Sequence, residues 1–343
     1  MTELRCIRGP LDEEQLAWVA ATYGQVDPNY ARPEYLRHQF LENPFGWSVH
    51  VFGVADGQAV GHCCVVPFKA RREGREFVAG KLEGLMVAPE FRGSGGGGLA
   101  GRILSTLYAF AHEHGLEMLF GLGRPAVTRV LVRAGCYTVT LPVRTHILFA
   151  HPLAASAGWP RARRAVAVGT AVVQNVATTL APLGARGATR SFGRARLGDV
   201  RPDDAELVEA PAETGSWTVS GKDAWDWYAA SGLLRAVDVP GSRAIVRLAP
   251  GDPNGLQLVA WRAERPGLAS AFLLLDALRR LARRHDLPTL RYQPWAASDP
   301  VLERACRLLG FVRREEVELL LHTDDPELKA LSVGFNPFFS VTF

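Results

Sequence analysis

The stretch Leu85–Leu99, LMVAPEFRGSGGGGL, decides how the chain is read. A strand runs to Val87, Pro89 breaks the ladder, and Arg92-Gly93-Ser94-Gly95-Gly96-Gly97-Gly98 leads into a helix. Glycines let successive backbone N–H groups converge on one point, because no Cβ blocks the approach. The helix start adds free N–H groups and the positive end of a dipole. This combination predicts a cradle for a pyrophosphate. A Walker loop needs Gly-Lys-Ser/Thr after its glycines, and no lysine is present here. A Rossmann fingerprint needs a parallel βαβ start and an acidic residue further on. Both readings weaken, because three antiparallel-looking strands come first.

Working outward, those strands are SVHVFGVA (48–55), AVGHCCVVPF (59–68) and FVAGKLEGLMVAP (77–89), all β-branched and apolar. Asp56-Gly57 is a hairpin turn between the first two, and Arg71–Arg75 a polar turn between the next. Two amphipathic helices precede them, at 12–23 with an acidic first turn and at 33–42 with Pro33 at its first position. After the glycines come a helix at 99–114, a strand at 117–123, a helix near 127–134 and strands around 136–150.

A second copy of this plan follows. LLRAVDV, SRAIVRLAP and LQLVAWRA are strands, 268–285 is a long helix, LPTLRYQP a strand, and DPVLERACRLLGF a helix and turn. ERACRLLGF (303–311) aligns with TRVLVRAGC (128–136), and DAWDWYAA (223–230) with PEYLRHQF (33–40). The chain therefore reads as a tandem duplication, and a repeat of this size changes the fold assignment. Its segments are 1–150, a connector at 151–195 rich in Ala, Arg, Pro and Gly, and 196–343. The copy departs at the decisive place. Arg262-Ala-Glu-Arg-Pro-Gly-Leu268 has no glycine run, and Pro266 removes an N–H, so the second cradle is lost.

The pattern Arg92-x-x-Gly95-x-Gly97, preceded by Val87-x-Pro89-x-x-Arg92, resembles motif A of the GNAT superfamily of N-acetyltransferases. Three strands before the loop and α-β-α-β after it follow that family's order over about residues 1–150. The resemblance implies two tandem α/β (α+β) domains, each a mixed, mostly antiparallel sheet flanked by helices, the second degenerate. It implies that acetyl-CoA, or another acyl-CoA, has its pantetheine arm on the backbone of Leu85, Met86 and Val87. Its pyrophosphate would sit on Arg92, Gly93, Ser94, Gly95, Gly96, Gly97 and Gly98.

Acyl transfer to an amine needs a positioned thioester, a stabilised oxyanion, a deprotonated amine and a protonated leaving thiolate. Period-two alternation predicts Glu83, Leu85 and Val87 on one strand face. Some family members carry their base at the place of Glu83; a carboxylate bonded to a neighbouring strand or arginine is the other reading. The family's usual acid is a Tyr four residues before a Gly-Phe pair. Here Gly135-Cys136 stands there and the residue four before is Leu131, so the usual slot lacks its Tyr. Tyr137 is the nearby substitute. Some tandem relatives use a terminal carboxylate as base, which makes Phe343, at the end of the apolar run VGFNPFFSVTF, a further candidate. His62 reads as a satisfied core histidine. Trp47, Phe45, Tyr35 and Tyr30 fit either an acceptor cleft or core packing.

Composition bounds the rest. The 343 residues suit about two domains. Hydrophobic content of 48% and charged content of 22% exclude a disordered chain or a coiled coil. The net charge of +4 is too mild to argue for nucleic acid, and the pairs Arg279-Arg280 and Arg283-Arg284 read as one solvated helix face. Five scattered cysteines without ligand spacing fit a reducing compartment and argue against zinc. The N-terminus has no apolar signal region. Ala165–Leu183 is interrupted by Gln174 and Asn175 and reads as a helix buried between domains rather than a membrane span. These features predict a cytoplasmic protein, and the resemblance implies an N-acyltransferase whose acceptor is a small-molecule primary amine such as an amino sugar or natural product. A homodimer, a peptide or protein N-acetyltransferase and a non-catalytic CoA-binding protein stay open.

Overall fold

The computed structural model describes residues 2–24, 28–72, 74–92, 98–123, 125–157, 159–185, 195–207, 216–219, 221–248, 255–292, 300–324 and 332–333. In chain order the first half forms β1 (Glu3–Arg8), α1 (Glu13–Tyr23), α2 (Pro33–Phe40), β2 (Val49–Ala55), β3 (Gln58–Arg72), β4 (Arg75–Val87), α3 (Leu99–Glu113), β5 (Met118–Gly123), α4 (Pro125–Arg133) and β6 (Tyr137–Phe149). Then come α5 (Pro152–Ala155), α6 (Arg161–Ala185), β7 (Arg196–Gly198), β8 (Ser216–Val219), α7 (Gly221–Ala230), β9 (Leu234–Val239), β10 (Ser242–Arg247) and β11 (Leu256–Ala263). The chain continues with α8 (Leu268–Arg284), β12 (Thr289–Tyr292), α9 (Pro300–Leu308), β13 (Val312–His322) and β14 (Ser332–Val333).

The chain forms two compact units that interleave along the sequence. One comprises Met1–Val143, Glu209–Ser231 and Glu316–Phe343, the other Arg144–Val208 and Gly232–Glu315. Each unit thus takes chain from both the first and the second half of the sequence. Each unit has a mixed, mostly antiparallel sheet flanked by helices. In the first unit the order is β1-β2-β3-β4-β5-β13, in which β4 and β5 run parallel; off this path β8 pairs in parallel with β14. In the second it is β7-β9-β10-β11-β12-β6, in which β11 and β12 run parallel. The two orders correspond strand for strand, with one exchange. Leu119–Gly123 of β5 pairs with β13 from the second half of the chain, while β12 pairs with β6 from the first. α7 and β8 likewise belong to the first unit, where β8 pairs with the end of β3.

Local sequence explains the elements that position the site. Asp12 caps α1 in a reciprocal capping box with Gln15. Asp56 and Gly57 both have positive φ, as a two-residue hairpin turn between β2 and β3 requires. α3 packs tightly on the sheet because Gly61 has no side chain: a Cβ there would stand 2.7 Å from Ile103 Cδ1. Around that contact Val49, Val51, Cys63, Val65, Ile103, Leu104 and Leu107 form the first unit's core.

α6 spans Arg161–Ala185 in the second unit, with an unusual polarity. Its inward positions are Ala167, Ala171, Gln174 and Thr178, whereas Val166, Val173, Val176 and Leu180 are exposed. Its outward face is thus exposed, whereas the run Ala165–Leu183 predicts a helix buried between domains. Gln174 explains the inward polar side chain: its amide accepts from Phe149 N and donates to the carbonyls of Ile147 and Gly310. Among the described residues no helix is long and apolar enough to cross a membrane. Of the α8 arginines, Arg280, Arg283 and Arg284 are exposed, as expected of a solvated face, whereas Arg279 is buried on Asp276 and Asn175.

Candidate active site

The site is built on β4. Its pairing with β3 runs from Arg75 to Val87, but its parallel pairing with β5 covers only Ala79–Lys81. Beyond Lys81 the edge of β4 facing β5 has no strand partner among the described residues. A chain of amides laid along that edge could pair with it, as in strand addition. Leu85, Met86 and Val87 lie on this stretch. Arg92 Nε donates to Val87 O at 2.8 Å and holds the guanidinium at the end of the strand. Gly98 is the N-cap of α3 and supplies no side-chain cap, which leaves the first-turn N–H groups for another acceptor. Gly93, Ser94, Gly95, Gly96 and Gly97 lie outside the described residues.

β4 contains a bulge. Met86 pairs with His62 and Glu83 with Cys64, so Gly84 and Leu85 oppose the single residue Cys63. Gly84 takes φ +58°, and a Cβ there would meet the Tyr23 ring at 2.9 Å. The extra residue breaks the alternation that was to place Glu83, Leu85 and Val87 on one face. Leu82, Leu85 and Val87 instead join the α3-side core. Glu83 points to the opposite face, where α2 and the segment around Tyr30 cover it.

Glu83 is buried and ion-paired to the equally buried Lys81, two residues before it. Tyr30 donates to Oε2 at 3.4 Å, and Gln39 Nε2 donates to Oε1 at 3.4 Å. Burial and then the charge of Glu83 push the Tyr30 hydroxyl far above its ordinary range, so it stays a donor. The same two causes raise Tyr228, which α7 brings in from the second half of the sequence. Lys81, Gln39 and Tyr228 escaped the sequence reading. Lys81 was visible as the i−2 neighbour of Glu83 on a strand, whereas Gln39 and Tyr228 sit on helices whose facing only the packing sets.

The remaining candidates are placed as follows. Tyr30 and Tyr35 are buried near Glu83, their rings 5.2 Å apart. Trp47 instead carries the Arg8 guanidinium at 4.5 Å and packs beside Phe45. Leu131 is buried in the α3-side core, so an apolar side chain fills the slot of the usual acid. Tyr137 opens β6, and its side chain lies outside what is described; Phe343 lies outside the described residues altogether. A cavity of about 280 Å³ opens beside α1, with Trp18 and Phe52 on its walls and Arg5, Glu14 and Gln58 among its polar groups.

No protein-family model and no curated protein matches the sequence. Solved structures do match the fold. A tandem GNAT protein from the clavulanic acid biosynthesis pathway superposes with a TM-score of 0.58 at 12% identity, over 94% of this chain and 99% of that one. A GCN5-related N-acetyltransferase from Anabaena variabilis gives 0.51 at 14% identity, over 92% of this chain and 72% of that one. At these identities the likeness is one of fold: the chain has the tandem GNAT architecture.

Proposed function

We propose that the protein is an acyl-CoA-dependent N-acyltransferase that acts in the cytoplasm on the primary amine of a small molecule. The observation that carries this reading is the unpaired edge of β4 beyond Lys81, ending at Arg92 and the uncapped N-terminus of α3. An extended amide-bearing arm fits that edge, and a pyrophosphate fits the helix start and the glycines before it. Acetyl-CoA, or a longer acyl-CoA, would supply the activated thioester. Leu85, Met86 and Val87 would hold the arm, and Arg92 with Gly93, Ser94, Gly95, Gly96, Gly97 and Gly98 the phosphates.

Glu83 is the candidate proton acceptor, held by Lys81, Tyr30 and Gln39 on the α2 face of β4. Phe343 is the alternative candidate base, and Tyr137 the candidate acid for the leaving thiolate. One observation favours a second reading, a CoA-binding protein without turnover: buried Leu131 occupies the position of the family's usual acid.

Calorimetry with acetyl-CoA tests the reading, on the wild type and on Gly95→Asp with Gly97→Asp. One equivalent per chain, lost in the variant, is expected, followed by thiol release with a panel of amines. Absence of binding to acetyl-CoA and to longer acyl-CoA thioesters overturns the reading. Binding without release across the panel leaves the second one.

A further inference from the structure

On the α1 face of the first unit lies a group that acyl transfer does not use. His50 on β2 is the cross-strand partner of Cys64 on β3, and His62 stands two residues before Cys64 on the same face. All three are fully buried. One donor atom from each lies within 4.8 Å of the other two. Their linear spacing matches no metal motif, which is why the sequence argued against one; strand pairing brings them together.

Ser48 Oγ donates to Phe40 O at 3.0 Å and lies 2.7 Å from His50 Nε2. The Tyr23 hydroxyl lies 3.1 Å from His62 O and 3.3 Å from His62 Nδ1. The other two ring nitrogens, His50 Nδ1 and His62 Nε2, face each other at 3.1 Å, close enough for one cation to bind both. Each histidine already has the outer partner that a metal-bound imidazole uses to fix its tautomer.

We propose that His50 Nδ1, His62 Nε2 and Cys64 Sγ form a three-ligand site for a soft d10 cation, monovalent copper in preference to zinc. Two imidazoles and a thiolate are donors for either metal. Charge decides between them. Copper(I) with one thiolate is neutral, whereas zinc(II) leaves a net positive charge in a fully buried site. Structural zinc also takes four ligands, and among the described residues no fourth donor joins this group. The nearby carboxylate of Glu83 is held by Lys81, Tyr30 and Gln39. On binding, the Cys64 thiol, which donates to Glu83 O, exchanges its proton for the metal. One proton leaves per copper bound, and nothing is oxidised or reduced.

The full chain is titrated anaerobically with copper(I) against bicinchoninate, and in parallel with zinc(II) against a chromophoric chelator. One copper per chain is expected, with X-ray absorption giving two nitrogen neighbours and one sulfur. Cys64→Ser and His62→Gln should abolish the uptake, each checked for native circular dichroism. Cys63→Ser should keep it, since that thiol lies in the α3-side core. Ser48→Ala should weaken it by about tenfold or more through loss of the outer partner. Should either ligand variant not fold, copper-dependent thermal stabilisation of the wild type, absent in Cys64→Ala, replaces it. No uptake of either metal by the wild type, or uptake that survives loss of Cys64, overturns the site. Stoichiometric zinc with no copper overturns the choice of metal.

Discussion

Trp227 donates its indole N–H to the carbonyl of His38 at 2.9 Å, across 189 residues of sequence, and stacks on the His38 ring. This contact lies within the first unit although its two ends come from opposite halves of the chain. α7 therefore closes over α2, and Tyr228 beside it reaches the surroundings of Glu83. The fragment 1–150, which lacks α7, β8 and β13, is expected to show no cooperative thermal transition by circular dichroism. In the whole chain Trp227→Ala should cost about 3–5 kcal/mol, read as a lower denaturant midpoint.

Gly84 fixes the bulge. Alanine there would hold a Cβ in the left-handed region and press it against Tyr23. Gly84→Ala should destabilise by about 1–3 kcal/mol. Where the variant stays folded, acyl-CoA affinity should fall as well, because the bulge sets the direction of Leu85–Val87. Urea unfolding and calorimetry check the two effects separately.

Lys81 and Glu83 are a buried ion pair, so neutralising one takes a close counter-charge from the other. Glu83→Gln should cost about 3–5 kcal/mol. Lys81→Met added to it should recover most of that stability, since no buried charge is left unpaired. Activity with an amine acceptor should not return in the double variant if Glu83 takes the proton. Recovery of turnover together with stability would make the pair structural.

Asp204 in the second unit supplies a pH dependence. Burial alone would raise its carboxyl; the bidentate Arg243 guanidinium and the Arg201 N–H outweigh burial and hold it below the usual value of 3.8. The unfolded chain therefore binds more protons in that range. The stabilisation is full above pH 3.8 and is lost as the pH falls through the lower folded value. Urea midpoints between pH 6 and 2 should fall in the acid limb for the wild type. Asp204→Asn should start lower at neutral pH and show a shallower acid fall.

Much of the first unit was readable in the chain because the signals were local. Asp56-Gly57 and Pro33 each state a backbone requirement that few residue types meet. The repeat was readable through Gly135 and Gly310, which end equivalent helices with positive φ. What escaped depends on relations a sequence does not order. An isolated glycine in a strand is a bulge signal, but Gly84 does not say which residue will face α2. Duplication predicts two similar sheets, yet it is symmetric with respect to which sheet receives each final strand. Only the pairing of β13 with β5 and of β6 with β12 settles that. His50, His62 and Cys64 are invisible to spacing rules for the same reason, since antiparallel register, not sequence distance, aligns them.

The exchange of β6 and β13 also constrains how the protein is made. A ribosome adds about 5–20 residues per second. The interval between the end of β5 at Gly123 and the arrival of Glu318, its partner, is therefore on the order of 10–40 seconds. Throughout that interval β5 waits on the nascent chain with one edge unpaired, a template for association with any other strand. Chaperone demand should accordingly concentrate on the half-made polypeptide rather than on the finished one. Splitting the gene between the two repeats would prolong that exposure until the halves meet.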